Sequence, residues 1–221
     1  MPHSHALKGF LTLAAPCSGL LQYETIQSIA RRPAMTIAAF QSLSLAEFLQ
    51  LPETKPASEF IAGEISQKPM PKGRHSRLQA KLSNEINLVT EDPKIAYAFT
   101  ELLCSFGSRS IVPDLAVFLW QNIPFQADGE VPDRFELPPD WVTLILSPEQ
   151  KSNKVIGNIL YCMDRGSQLG WFIDPDDKSV LVFLRDRQPI LMENNDTLPA
   201  LEGIELNLTV DRLFGWLKMG P

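Results

Sequence analysis

Cysteine is scarce in this chain: Cys17, Cys104 and Cys162 are the only three in 221 residues, far apart and odd in number. They form neither a disulfide framework nor the paired spacing of a zinc site, and they read as small buried hydrophobes in a reducing cytoplasm. No apolar run reaches the length of about 20 residues that a membrane helix needs, so no membrane partner is expected. Positive charge is not in excess either. A net charge of -6 excludes a globally basic surface for nucleic acid, though not a local basic groove. Gly-rich phosphate loops, Ser/His/Asp arrangements, internal repeats and low-complexity segments are all missing.

What is present is a chain 44% hydrophobic, long enough to bury one sizeable core. Residues 1–34 read differently from the rest. Gly9 to Cys17 is a short apolar run with only Lys8 before it, and Pro16 directly before Cys17 fits a lipoprotein signal badly. The segment is expected to be a poorly ordered extension or the product of an upstream start codon, with the domain proper over 35–221.

From Ser44 the local signals sharpen. Ser44-Leu-Ala-Glu47 is a capping box ahead of Phe48 and Leu49, and Pro52 and Pro56 end the short helix it starts. Glu59 to Ile65 reads as a strand, followed by a turn through Pro69, Pro71 and Gly73. His75, Leu78, Leu82, Ile86 and Val89 recur at spacings of three and four, which predicts a second helix with His75 on its buried side and Arg77, Lys81 and Asn84 opposite. Ile95–Phe106 and Ser110–Trp120, separated by Gly107 and Ser108, read as a hairpin. Residues 121–139, with Asp128, Glu130, Asp133 and Glu136, read as an acidic and mostly solvated excursion. Ser152 can cap a third helix carrying Val155, Ile156, Ile159, Leu160 and Met163, which Gly166 ends. Strands around Leu169–Ile173, Ser179–Leu184 and Ile190 follow, then a terminal helix with Val210, Leu213, Phe214 and Leu217. Asp174, in Asp-Pro-Asp-Asp, reads as turn chemistry, and Trp171 as core or sheet surface.

The chemistry concentrates between Ile111 and Pro148. Val112-Pro113-Asp114 heads one apolar strand, and Trp141 to Leu146 forms a second that ends in Ser147-Pro148. A carboxylate at the end of a buried strand is costly unless something binds it, and adjacent strands can aim two carboxylates at one divalent cation. The candidate partners of Asp114 are Glu64 and Glu101. Glu59 ranks below them, because period two puts it on the face opposite Glu64.

These residues resemble the bacterial Uma-type restriction endonuclease family of the Pro-Asp…Asp/Glu-X-Lys nuclease superfamily. The resemblance rests on Gly63-Glu64-Ile65 followed by His75, on Val112-Pro113-Asp114, on Ile145-Leu146-Ser147-Pro148 and on Leu169-Gly170-Trp171-Phe172-Ile173-Asp174-Pro175, in that order. It implies a restriction-endonuclease-like α/β (α+β) fold, a mixed sheet flanked by helices. It also implies Asp114 as the first acid and His75 as a recurring histidine with a catalytic part. The second acid falls on Leu144, which cannot ligate a metal, with Glu149 just past Ser-Pro as a substitute. The superfamily lysine falls on the helix after Ser-Pro, where Lys151, Lys154 and Asn158 lie and Lys154 is the candidate. The implied activity is DNA hydrolysis with Mg²⁺ or Mn²⁺ held by Asp114, Glu101 and Glu64, by a cytoplasmic protein for which a homodimer is an open assembly. The alternative is a catalytically silent descendant that binds nucleic acid or protein.

Overall fold

The structure is a computed structural model that describes residues 43–220. The expectations for residues 1–34 and for Cys17 lie outside the described residues. The first helix, α1 (Leu45–Phe48), starts where the capping box places it: the Ser44 hydroxyl accepts the Glu47 N–H at 3.2 Å, and the Glu47 carboxylate accepts the Ser44 N–H at 2.8 Å. The single strand expected over Glu59–Ile65 is instead a hairpin of β1 (Ser58–Ile61) and β2 (Glu64–Gln67). Its two-residue turn needs left-handed backbone at both positions, and Ala62 (φ 52°) and Gly63 (φ 86°) supply it. Helix α2 (Gly73–Thr90) buries His75, Leu78, Gln79, Leu82 and Ile86 as one stripe. That stripe closes on Thr90, one full turn beyond Ile86, and leaves Val89 exposed.

The long hairpin predicted across Gly107 and Ser108 is real at its tip and broken in both arms. Its outer parts are β3 (Ala96–Thr100) and β6 (Leu115–Leu119); its inner parts are β4 (Leu103–Phe106) and β5 (Arg109–Ile111). The outer pair lies in one sheet and the inner pair in another. Both arms therefore bend at the same level, at Glu101-Leu102 and at Val112-Pro113-Asp114. Proline, which has no N–H for a ladder, breaks one arm, and left-handed backbone at Glu101 (φ 53°), a conformation costing about 1 kcal/mol, breaks the other.

The remaining elements are β7 (Arg134–Phe135), β8 (Trp141–Ile145), α3 (Ser152–Asp164), β9 (Leu169–Asp174), β10 (Ser179–Leu184), β11 (Ile190–Met192) and α4 (Val210–Gly215). The larger sheet has the order β11-β10-β9-β8-β6-β3, with β8 and β9 parallel around α3 and the other pairs antiparallel. The smaller sheet runs β2-β1-β5-β4-β7. One face of the larger sheet packs on α2, α4 and the segment through Leu198–Leu208, around Trp141 and Trp171. The other face packs on α3 and on Cys104, Phe106 and Ile111 of the smaller sheet. Gly170 lets α3 approach β9, since a Cβ there would stand 2.5 Å from the Ile159 methyl.

The acidic excursion is mostly exposed, with Phe135 the chief exception, fully buried against Phe99 and Phe118 at ring separations of 5.2 and 4.8 Å. One further expectation is corrected. Ser152 does not cap α3: the helix begins one residue early, with extended Lys151 as its unbonded cap, which puts Ser152 inside the first turn. Asp174 behaves as turn chemistry, its carboxylate accepting the N–H groups of Asp176 and Asp177.

Candidate active site

The two bends and the first turn of α2 meet at one end of the larger sheet. Asp114 heads β6 with its carboxylate almost wholly buried. Its Oδ1 accepts from Lys68 Nζ at 2.7 Å and lies 3.1 Å from His75 Nε2, while Oδ2 accepts the Ile145 N–H at 2.6 Å. The Lys68 ammonium also donates to Val112 O at 2.8 Å and to Glu101 at 3.2 Å. One helical turn after His75, the Gln79 amide reaches both Glu101 Oε1 and Asp114 O, each at 2.9 Å. On the far side of the imidazole, Nδ1 lies 3.3 Å from the Ser147 hydroxyl. An Nε2–H donates to Asp114, while the Ser147 hydroxyl, which both donates and accepts, matches either state of Nδ1.

Charge placement follows from these contacts. Burial alone would push the Asp114 carboxyl up, but the Lys68 ammonium, the His75 hydrogen bond and the Ile145 N–H outweigh it and hold it below the ordinary range. Burial likewise works against the Lys68 charge, and Asp114 and Glu101 reverse it, so Lys68 titrates above its usual value. Glu59 is the opposite case. It is buried beneath the strand head with Oε1 accepting the Val112 N–H at 2.9 Å, and burial pushes its carboxyl up. Cys104 and Cys162 are free, and burial pushes the Cys162 thiol up to about 12.

Of the residues singled out from sequence, the structure brings together His75, Glu101 and Asp114. One donor atom from each lies within 4.8 Å of the others, a group that could hold a metal ion. Glu64 is not brought there: it is exposed on β2 opposite Ile61, while Glu59, ranked below it, is the buried acid. Period two does not separate them: Glu64 pairs with Ile61, two residues from Glu59, so both acids lie on one face of the hairpin, Glu59 under the Val112 strand head and Glu64 beside the exposed turn. Lys154 is exposed on α3 and has no side-chain hydrogen bond or ion pair among the described residues. Glu149 pairs with Lys72 at the surface. Leu144 is buried with Val142, Val155 and Phe172, one residue before the Ile145 N–H that binds Asp114. A cavity of about 160 Å³, lined by Lys68, Pro69, Pro71, His75, Glu101 and Ser147 among others, opens over the cluster. Neither Asp114 nor Lys154 lines it.

Sequence reasoning missed Lys68, Gln79 and Ser147. Gln79 was within reach, since it is a polar residue on an apolar helical stripe. Lys68 carried no such mark in its proline-rich turn.

A mixed sheet covered by helices, with carboxylates converging where its strands bend, defines a nuclease-like protein of the restriction-endonuclease class. The family model described as Uma2, putative restriction endonuclease, matches residues 45–211, and the chain belongs to that family. Among solved structures, a putative nuclease belonging to DUF820 from Anabaena variabilis ATCC 29413 is similar at 45% identity and a TM-score of 0.78, over 80% of this chain and 99% of that chain. No curated protein matches the chain. No helix among the described residues is long and apolar enough to cross a membrane.

Proposed function

We propose that this chain is a divalent-metal-dependent endonuclease that acts on DNA in the cytoplasm, with Asp114, Glu101 and His75 as the metal-holding residues. The observation that carries this reading is the convergence of two carboxylates and an imidazole within 4.8 Å. That donor set fits Mg²⁺ or Mn²⁺, which favour oxygen ligands. Bound there, the ion would supply an activated water and offset charge on the phosphate. His75 presents Nε2 to such a site when its Nδ1–H donates to Ser147, which fixes the ring. The Ile145 N–H orients Asp114, and Gln79 orients Glu101. Lys154, exposed on α3, is an outer contact for the DNA backbone and not a member of the cluster.

A second reading, a catalytically silent protein that binds nucleic acid or protein through the same cleft, is favoured by Leu144, where the family resemblance calls for an acid. Plasmid cleavage with Mg²⁺ or Mn²⁺ separates the two. The nuclease reading expects the wild type to nick or linearise supercoiled DNA and Asp114→Ala to lose this. Equal cleavage by Asp114→Ala would sink it. An inert wild type whose Leu144→Glu variant cleaves would establish the silent reading.

A further inference from the structure

We infer that Lys68 is the resident counter-cation of this site, and that its ammonium and a divalent ion exclude one another between Asp114 and Glu101. The inference rests on the metal-binding reading above and concerns how that site is controlled. An ammonium has three N–H donors. Those of Lys68 meet the Asp114 carboxylate, the Val112 carbonyl and the Glu101 carboxylate at 2.7, 2.8 and 3.2 Å. Two carboxylates and a backbone carbonyl are also the oxygen set a hard cation takes. The ammonium therefore occupies the place such an ion needs, and the Lys68 side chain is only 11% exposed.

Charge makes the exclusion mutual. Asp114 and Glu101 carry two negative charges, which one divalent ion neutralises; adding the ammonium at contact distance leaves an excess positive charge beside the buried Asp114. A third carboxylate could offset that excess, but position 144 is leucine. Glu59 is turned to the backbone, its Oε1 accepting the Val112 N–H at 2.9 Å. Lys68 can leave without unfolding its surroundings. Its own N–H is tied to Ala57 O at 2.9 Å, so the backbone stays, while the side chain borders the cavity that opens over the cluster. The site thus has a protein-borne cation in one state and a metal in the other, and ion uptake works against the Lys68 contacts.

The test reads binding and not activity. Calorimetric titration with Mn²⁺ should find Lys68→Met binding about tenfold or more tighter than wild type, the size of a typical coupling between two sites. Lys68→Arg, which keeps a cation, should bind no tighter than wild type. Because Lys68→Met could fold poorly with two carboxylates uncovered, a second measurement uses the wild-type chain alone. The 1H–15N signal of the Lys68 ammonium, sheltered by three acceptors, should move or vanish as Mg²⁺ saturates the protein. If Mg²⁺ binds while that signal stays in place, or if Lys68→Met binds Mn²⁺ no more tightly than wild type, the exclusion is wrong and the metal reading survives. If neither ion binds either protein at millimolar concentration, both fall.

Discussion

Asp114 and Glu59 are buried carboxylates on either side of the same strand head, and the site holds them in opposite directions. Asp114 titrates below its unfolded value, so it contributes stability above that value that is lost as pH falls through the folded pKa. Glu59 titrates above its unfolded value. As pH rises past about 4.3, the unfolded chain ionises this group while the folded chain keeps its proton, so stability falls with rising pH until the folded pKa is passed. Glu59→Gln keeps an oxygen for the Val112 N–H and removes the titration. Its melting temperature should match wild type at pH 4 and exceed it at pH 7. A variant less stable than wild type at pH 7 would mean that Glu59 is ionised in the fold and paired with Lys68.

At the level of elements, the break of one predicted hairpin into two sheet pairs makes the site. A straight hairpin would carry Glu101 and Asp114 along a continuous ladder. The double bend instead ends β3 and begins β6 at the level where α2 delivers His75 and Gln79. The space between the sheets is closed from the far side by β7, the two-residue strand inside the acidic loop, through Phe135. Phe135→Ala should cost about 3–5 kcal/mol, as large aromatic truncations in a core do. The urea midpoint should fall with little change in slope. A loss below about 1 kcal/mol would show that the loop lies over the core without belonging to it.

Across residues 43–220, the larger sheet is shared by two hydrophobic cores, and strands β6, β8, β9 and β10 contribute side chains to both. Neither core can be exposed without stripping one face of the same strands. Unfolding should therefore be a single transition, with tryptophan fluorescence, dominated by the buried Trp141–Trp171 pair, and far-ultraviolet circular dichroism giving the same midpoint. Two separated midpoints would mean that the smaller sheet with α3 comes apart independently of the α2 and α4 face.

Local features are what the amino-acid order determined by itself. The Ser44 capping box, the stripe from His75 to Ile86, the turn at Gly107 and the strands after Gly166 depend on neighbours close in the chain, and periodicity records them. Asp114 was legible for a related reason, since an acid beside proline at the head of an apolar strand is conspicuous without knowing its partners. Position 144 was legible through resemblance alone. Which carboxylate joins Asp114, and which cation sits between them, was decided only by tertiary structure. Glu101 reaches the site because both hairpin arms bend together, and Glu59 is buried because it lies under the bend at Val112, whose N–H it accepts. Lys68 reaches it from a turn in which nothing local marks a buried charge. Burying a charge is tolerated only where opposite charges and hydrogen-bonding groups meet it, and those groups come from residues far away in the chain.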